Sequence, residues 1–286
     1  MKADLRELAR LSDSLSYIYI ERAIIERDTN SLVIIRENDR VPIPVSSLTV
    51  LMLGPGTSIT HAAISIIAEN GCLVLWCGEH NVRFYAYGIG ETRSGERLLR
   101  QAKYHQDSDL HLKVIKRMYG LRFPNISLEG MDLKTMRGIE GVRVREMYSM
   151  FAKLYNVKWF GREYDLYDMA KGSRINQALS VANSCLYGLC HSVIVSLGYS
   201  PTLGFIHTGR MVSFVYDIAD LYKMDTVVPA AFKTIGAGKS TDINRDVRIA
   251  CREMFKDKKL LKRIAKDIAF LFDDQKEIPL DPATSL

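Results

Sequence analysis

The chain has 286 residues, 47% hydrophobic and 25% charged, with a net charge of +6 and a pI near 9.0. That length holds one large or two medium domains and buries roughly three quarters of the surface an unfolded chain exposes. No apolar run reads as long enough to cross a bilayer, and the opening MKADLRELARLSDSL lacks the apolar segment of a secretory signal, so a cytoplasmic protein without membrane contact is expected.

A polar turn at Asp28-Thr29-Asn30-Ser31 divides the apolar runs of SYIYIERAIIERDTNSLVII, residues 16–35, and predicts a hairpin. VPIPVSSLTVLMLGPG and GCLVLWCGEHNVRFYAYG add short β-branched and aromatic runs between Gly, Pro and Asn breaks. HAAISIIAEN, 61–70, predicts a short helix between strands. Residues 1–88 thus read as a mostly β domain, and the Gly-rich GIGETRSG places a linker at 89–95. Helical spacing then takes over and predicts a helical domain across 96–278. GERLLRQAKYHQDSDLHLKVIKRMYGLRF has no breaker before Gly120 and reads as one helix. KTMRGIEGVRVREMYSMFAKLY (134–155) and RINQALSVANSCLYGLCHSVIVSLG (174–198) read as the next two. SFVYDIADLYK and TDINRDVRIACREMFKDKKLLKRIAKDIAFLF supply the last ones, and Pro279, Pro282 and ATSL mark a loose tail at 279–286. Cys72, Cys77, Cys185, Cys190 and Cys251 have no partner set for zinc and are expected to be buried as small apolar residues.

GFIHTGRMVSFVYDIADLYKMD, 204–225, carries one histidine and two aspartates in an apolar run. Ser213 reads as an N-cap, with Phe214, Ile218 and Leu221 forming the buried stripe of the helix that follows. Asp217 and Asp220 share a face that borders this stripe, so their carboxylates must be paired, protonated or metal-bound. Together with His207 in the Thr208-Gly209 turn they suit Mn2+, and less strictly Mg2+. A purely structural role fits as well, since aspartates at a helix start are favoured by the macrodipole. In MRGIEGVR, Glu140 stands between Gly138 and Gly141, and glycines inside a helix imply close approach of a ligand or a tight helix crossing. Glu140, His207, Asp217 and Asp220 are therefore one candidate divalent-metal constellation.

Arg245, Arg248, Arg252 and Lys256 follow one another at spacings of 3, 4 and 4, a continuous basic face backed by Val247, Cys251 and Met254. Such a face fits a phosphate backbone. VKWFGREYDLYDMAKG, 157–172, sets Arg162 and Tyr164 among other rings, a composition suited to stacking on unpaired bases, or to a loop packed on the core. GAGKST, 236–241, imitates the end of a phosphate-binding loop, but Lys233 stands where that pattern needs glycine, and no strand leads into it.

GPGTSITHAAI (54–64), RGIEGVRVR (137–145), INQALSVANSCLYG (175–188), the 204–225 stretch and RDVRIACREMF (245–255) together resemble the first CRISPR-associated adaptation protein, the Cas-one family, and most closely its type I-E branch. The resemblance runs collinearly over nearly the whole chain. It implies an α+β protein, with an N-terminal β-sandwich followed by a larger all-α C-terminal domain. It implies a metal-dependent DNA integrase and nuclease of antiviral spacer acquisition, a homodimer, two of which flank a dimer of the second adaptation protein, the Cas-two family. The substrates implied are a captured double-stranded DNA with 3′ overhangs and the CRISPR repeat DNA that receives it. By the same resemblance Glu140, His207 and Asp220 are ligands of Mg2+ or Mn2+, Asp217 lies beside them, and Arg83, Lys223, Arg245 and Arg248 contact DNA. Two positions depart from the branch: Arg22 stands at the place of a tyrosine that wedges the duplex end, and Ser58 at that of an arginine. A structure-specific endonuclease that does not integrate, and a non-catalytic DNA-binding scaffold, are the competing expectations.

Overall fold

The computed structural model describes residues 17–37, 39–79, 83–90, 94–124, 126–128, 130–162, 173–238 and 241–273. Its N-terminal half contains two four-stranded sheets. In the first, β1 (Tyr17–Ile20) lies parallel to β5 (Val50–Leu53), β5 parallel to β7 (Leu73–Cys77), and β7 antiparallel to β8 (Phe84–Gly88). In the second, β4 (Asp39–Ile43), β3 (Ser31–Arg36), β2 (Ile24–Asp28) and β6 (Ser58–Ile59) are neighbours in that order. The hairpin read from sequence is β2–β3, closed over Thr29 and Asn30 with Asp28 paired to Ser31. The YIYI run before it belongs to the other sheet, because residues 21–23 carry the chain across with Arg22 in the left-handed region at φ 51°.

Alternation decides which face each strand buries. Leu51 and Leu53 of β5 join Ile20, Ile25, Leu32, Ile34 and Val74 in a core between the sheets, closed by Ala63, Ile66 and Ile67 of α1 (His61–Glu69). Val50 and Met52 point the opposite way and pack with Leu73, Leu75 and Val195. The fold is thus α+β, an N-terminal sandwich followed by a helical region.

The helices are α2 (Glu96–Gln106), α3 (Ser108–Arg122), α4 (Leu133–Leu154), α5 (Arg174–Ser196), α6 (Ser213–Asp220), α7 (Val227–Gly236), α8 (Ile243–Asp257) and α9 (Leu260–Leu271). The single helix expected from residue 96 onward is broken at Asp107, whose carboxylate accepts the Asp109 and Leu110 N–H groups at 3.0 Å and starts a new helix. An internal aspartate that satisfies two orphan amides outweighs the continuity of the apolar pattern. Centrally placed, α5 packs against α7, α8, α6 and α9. By length and composition it is apolar enough to cross a bilayer, contrary to the sequence reading, yet it is mostly buried inside the protein. Its serines tolerate burial by donating to the carbonyl four residues back, as Ser192 does to Gly188 at 2.8 Å. Arg117 of α3 is 1% exposed and donates to the Phe270 and Leu271 carbonyls, closing the end of α9. The five cysteines are buried, and none is in a disulfide. The tail at 279–286 lies outside the described residues.

Candidate active site

The loop from α5 to α6 is built to be rigid. Gln101 of α2, fully buried, accepts the Ser200 N–H at 2.7 Å and donates to the Ser200 and Leu203 carbonyls at 3.0 Å. Gly204 follows in a place where a Cβ would collide with the His207 carbonyl oxygen and with Ser213. Ser213 is not the N-cap that the sequence suggests. It is the first residue of α6, and its hydroxyl donates to the Arg210 carbonyl and accepts the Arg210 N–H, closing the turn from inside. Phe214, Ile218 and Leu221 form the buried stripe as read.

Asp217 lies on that helix with its side chain wholly buried. Its carboxylate accepts the backbone N–H groups of Phe205 (2.5 Å), Ile206 (3.1 Å) and His207 (2.8 Å), and the His207 Nδ1 at 2.7 Å. With Nδ1 donating to a carboxylate, the imidazole turns Nε2 outward, the arrangement in which a histidine serves best as a metal ligand. The Asp217 hydrogen bond raises the proton affinity of His207 above its ordinary value against the effect of burial, with Asp220 adding to the rise. Asp217 is therefore a positioning residue, since both of its oxygens are spent on the loop.

Asp220 is the last residue of α6, with Oδ2 3.9 Å from His207 Nε2. The macrodipole argument for helix-start aspartates fails here, because this carboxylate stands at the negative end of the helix. Its counter-ion is Lys223, whose Nζ lies 2.6 Å from Oδ1 and 5.0 Å over the Tyr187 ring. Burial works against the ammonium, but Asp220 and Tyr187 outweigh it and raise the lysine's proton affinity. Tyr216 packs edge-on to Tyr187 at 4.9 Å and to His207 at 5.8 Å.

Glu140 comes from α4. Tyr119 donates to it at 2.8 Å and Arg122 pairs with it at 2.5 Å. Burial, followed by the Glu140 hydrogen bond, holds the Tyr119 phenol protonated as the donor. Arg137, one turn before Glu140 on the same face, donates to the Ile206 carbonyl at 3.2 Å, so this face of α4 adjoins the His207 loop. A Cβ on Gly138 would meet nothing within 4 Å and one on Gly141 only the Arg145 guanidinium, so these glycines mark an open surface and not a helix crossing. Among the described residues, no three His, Cys, Asp or Glu side chains are gathered as ligands of one ion. Instead, each of the two outer carboxylates, Glu140 and Asp220, is held by a cation. The donor chemistry of Glu140, His207 and Asp220 still fits a divalent ion: two carboxylates and an imidazole oriented from behind.

The sequence profile described as CRISPR associated protein Cas1 matches residues 16–128 and 125–266. The chain belongs to the Cas1 family. CRISPR-associated endonuclease Cas1 2 of Thermus thermophilus is 49% identical over 269 residues, 94% of this chain and 82% of its own length. CRISPR-associated endonuclease Cas1 of Escherichia coli is 44% identical over 255 residues, 89% of this chain and 83% of its own. The crystal structure of a TtCas1–DNA complex superposes with a TM-score of 0.85 at 50% identity, covering 92% of this chain and 98% of that one.

The basic positions expected of a Cas1 protein are spread over several elements. Arg83 is exposed at the entry to β8. Arg245 and Arg252 are exposed on α8 and Arg248 partly so, with Val247 and Cys251 buried behind them. Arg162 reaches the Asn176 carbonyl at 3.5 Å, and Tyr164 lies outside the described residues. Lys223 faces the acidic cluster instead of open surface. Exposed Arg22 stands beside the Pro55-Gly56 turn, whereas Tyr19 turns inward to Glu21 at 2.7 Å. GAGKST begins at the last residue of α7, where Gly236 packs tightly on the Tyr155 carbonyl, and its Lys239 and Ser240 lie outside the described residues. Sequence reading missed Tyr119, Arg122 and Arg137. Tyr119 and Arg122 stand three apart on one helix, a spacing that signals a shared task only once Glu140 is known to face them.

Proposed function

We propose that this Cas1 protein is a divalent-metal-dependent DNA integrase and endonuclease of CRISPR adaptation. It joins the 3′-hydroxyl ends of a captured short duplex to CRISPR repeat DNA. What supports this reading most is the Asp217–His207 arrangement, which spends a buried carboxylate on aiming one imidazole nitrogen toward Asp220.

Glu140, His207 and Asp220 would hold Mg2+ or Mn2+, which when bound polarises the phosphodiester and favours the ionised attacking oxygen. Asp217 fixes the imidazole, and Tyr119 and Arg122 fix Glu140, before substrate arrives. Lys223 and Arg122 supply positive charge where two carboxylates would otherwise repel a phosphate. In strand joining, the attacking 3′-oxygen forms one phosphodiester as another breaks, and the proton it loses is balanced by the one the departing 3′-oxygen gains. One ester replaces another, so no ATP is consumed. With water as attacking group the same site cuts branched DNA, the activity that matches the endonuclease names of the relatives. The open backbone at Gly138 and Gly141 leaves room for a DNA strand beside Glu140, and the α8 stripe for its phosphates. The protein would act in the cytoplasm as a homodimer, two of which are bridged by a Cas-two dimer.

The test incubates the protein and that partner with a labelled duplex bearing 3′ overhangs and a supercoiled repeat plasmid, with Mg2+ or Mn2+. Label transferred to the plasmid by wild type but not by His207→Ala supports integration at this site. Cleavage of branched DNA without transfer leaves only the endonuclease, and DNA binding without either reaction leaves a scaffold.

A further inference from the structure

His111 sits in the first turn of α3, behind the loop that carries His207. Its Nδ1 lies 3.0 Å from the His105 carbonyl oxygen and its Nε2 2.9 Å from the Phe205 carbonyl oxygen. A backbone carbonyl can only accept. A neutral imidazole has one N–H, so it can satisfy one of these contacts and must turn a lone pair on the other. The imidazolium satisfies both.

Both ring nitrogens thus face an acceptor. The His105 carbonyl is among the last of α2, which leaves it without a helical partner and places it at the negative end of the helix dipole. The ionisable groups around the ring come from each packed element. On α2 there is His105, its ring 5.5 Å away and its Nδ1 buried without a hydrogen-bond partner. At the head of α3 is Asp107, committed to capping the Asp109 and Leu110 amides. Behind the loop are Asp217 of α6, on the Phe205 amide, and Arg137 of α4, on the Ile206 carbonyl. The other face of the His111 ring packs against Phe205 at 5.0 Å.

We propose that His111 is a positioning residue that, as an imidazolium, clamps the Phe205 carbonyl to the end of α2 and so holds the His207 loop in register with Asp217. The Phe205 peptide is then gripped on both sides, its N–H by Asp217 and its carbonyl by His111. Loss of the His111 proton turns one of the two hydrogen bonds into a repulsion and loosens the loop. The inference rests on the reading of the His207 site as catalytic.

The experiment uses the full-length protein with the three variants His111→Arg, His111→Gln and His207→Ala. Nitrogen chemical shifts of 15N-histidine-labelled wild type report the protons on the His111 ring directly. Cleavage of a branched DNA with Mn2+ is measured from about pH 6 to about pH 8.5, the range across which an imidazole changes charge. Taking the ratio of wild type to His111→Arg cancels the pH dependence common to both. The clamp predicts two protonated ring nitrogens on His111 at the acidic end. It also predicts a ratio that falls about ten-fold toward the alkaline end, the effect of one hydrogen bond to a charged group. His111→Gln should be low throughout and His111→Arg, a permanent cation with several donors, restored. A neutral His111 tautomer at about pH 6 together with a flat ratio would overturn the proposal. Should His207→Ala cut as well as wild type, the catalytic reading fails by itself, while the nitrogen shifts still decide whether the clamp exists. If His111→Gln does not fold, the wild-type shifts and His111→Arg carry the test.

Discussion

Asp217→Asn changes almost no volume and removes one acceptor oxygen from a side chain with no exposure. One oxygen of the native carboxylate takes the His207 N–H and Nδ1, the other the Phe205 and Ile206 N–H groups. With its NH2 toward Phe205 and Ile206 the amide leaves two N–H groups without an acceptor; with its NH2 toward His207 it strands the His207 N–H and forces the imidazole to carry its proton on Nε2, so that Nδ1 accepts. Each buried donor left unpaired costs about 1–3 kcal/mol, so even the cheaper orientation, which strands one, should destabilise the protein by about 1–3 kcal/mol. That is a large share of a total stability of about 5–15 kcal/mol. The imidazole also loses its orientation, and loss of the group behind a metal-ligating histidine commonly lowers activity or metal affinity about 10–100-fold. Urea unfolding gives the first number, and cleavage of branched DNA over a range of Mn2+ concentrations gives the second. A variant within about 0.5 kcal/mol of wild type in urea and within two-fold in cleavage would refute the argument that Asp217 builds the loop.

Three further outcomes are expected. Gly204→Ala should cost about 1–3 kcal/mol in urea, the usual range for overpacking, because its Cβ would meet the His207 carbonyl and Ser213; unchanged stability would mean that the loop gives way freely. His191 stacks on Phe84 at 3.6 Å, and burial pushes its pKa down to about 4. An unfolded histidine binds its proton near pH 6.5, so between there and about pH 4 the unfolded state holds more protons and stability rises with pH. The contribution of up to about 3 kcal/mol is complete above about pH 6.5 and lost as pH falls to about 4, and His191→Phe should flatten urea midpoints over that window. Replacing Arg245 and Arg248 with alanine should reduce the slope of log affinity against log salt by up to about 2 for duplex DNA while leaving thermal stability in place; an unchanged slope would remove α8 from the DNA surface.

Local rules were enough for much of this molecule. The 61–70 helix, the β2–β3 turn and the α5 span follow from turn residues and apolar spacing, and Phe214, Ile218 and Leu221 are buried as their period requires. Failures occur where a polar side chain makes the decision. Asp107 divides an apolar pattern that runs on through it, and Ser213 closes a turn from inside the helix rather than capping it. The same limit applies at the site. His207, Asp217 and Asp220 are close in sequence, so helical geometry could gather them. Their roles could not be separated in that way, because Asp217 is distinguished from Asp220 by three backbone amides that only the folded loop brings to it. Glu140 stands out by its flanking glycines, yet its partners Tyr119 and Arg122 lie on another helix, about 20 residues away.

The last turns of α5 belong to two cores at once. Val193 and Ile194 are buried in the helical core, while Val195 packs with Met52 and Leu75 of the first sheet, and His191 stacks on Phe84. A severed N-terminal half would leave that underside of the sheet wet, and a severed C-terminal half would lose the support for the end of its longest helix. The two halves should therefore melt together, as one calorimetric event, although the sequence changes texture between them. Phe84, next to Arg83 at the start of β8, stacks on His191 of the helix that launches the His207 loop. Under the proposed function, a DNA end held by the strands and a phosphodiester at the acidic cluster would be gauged against one stiff ruler.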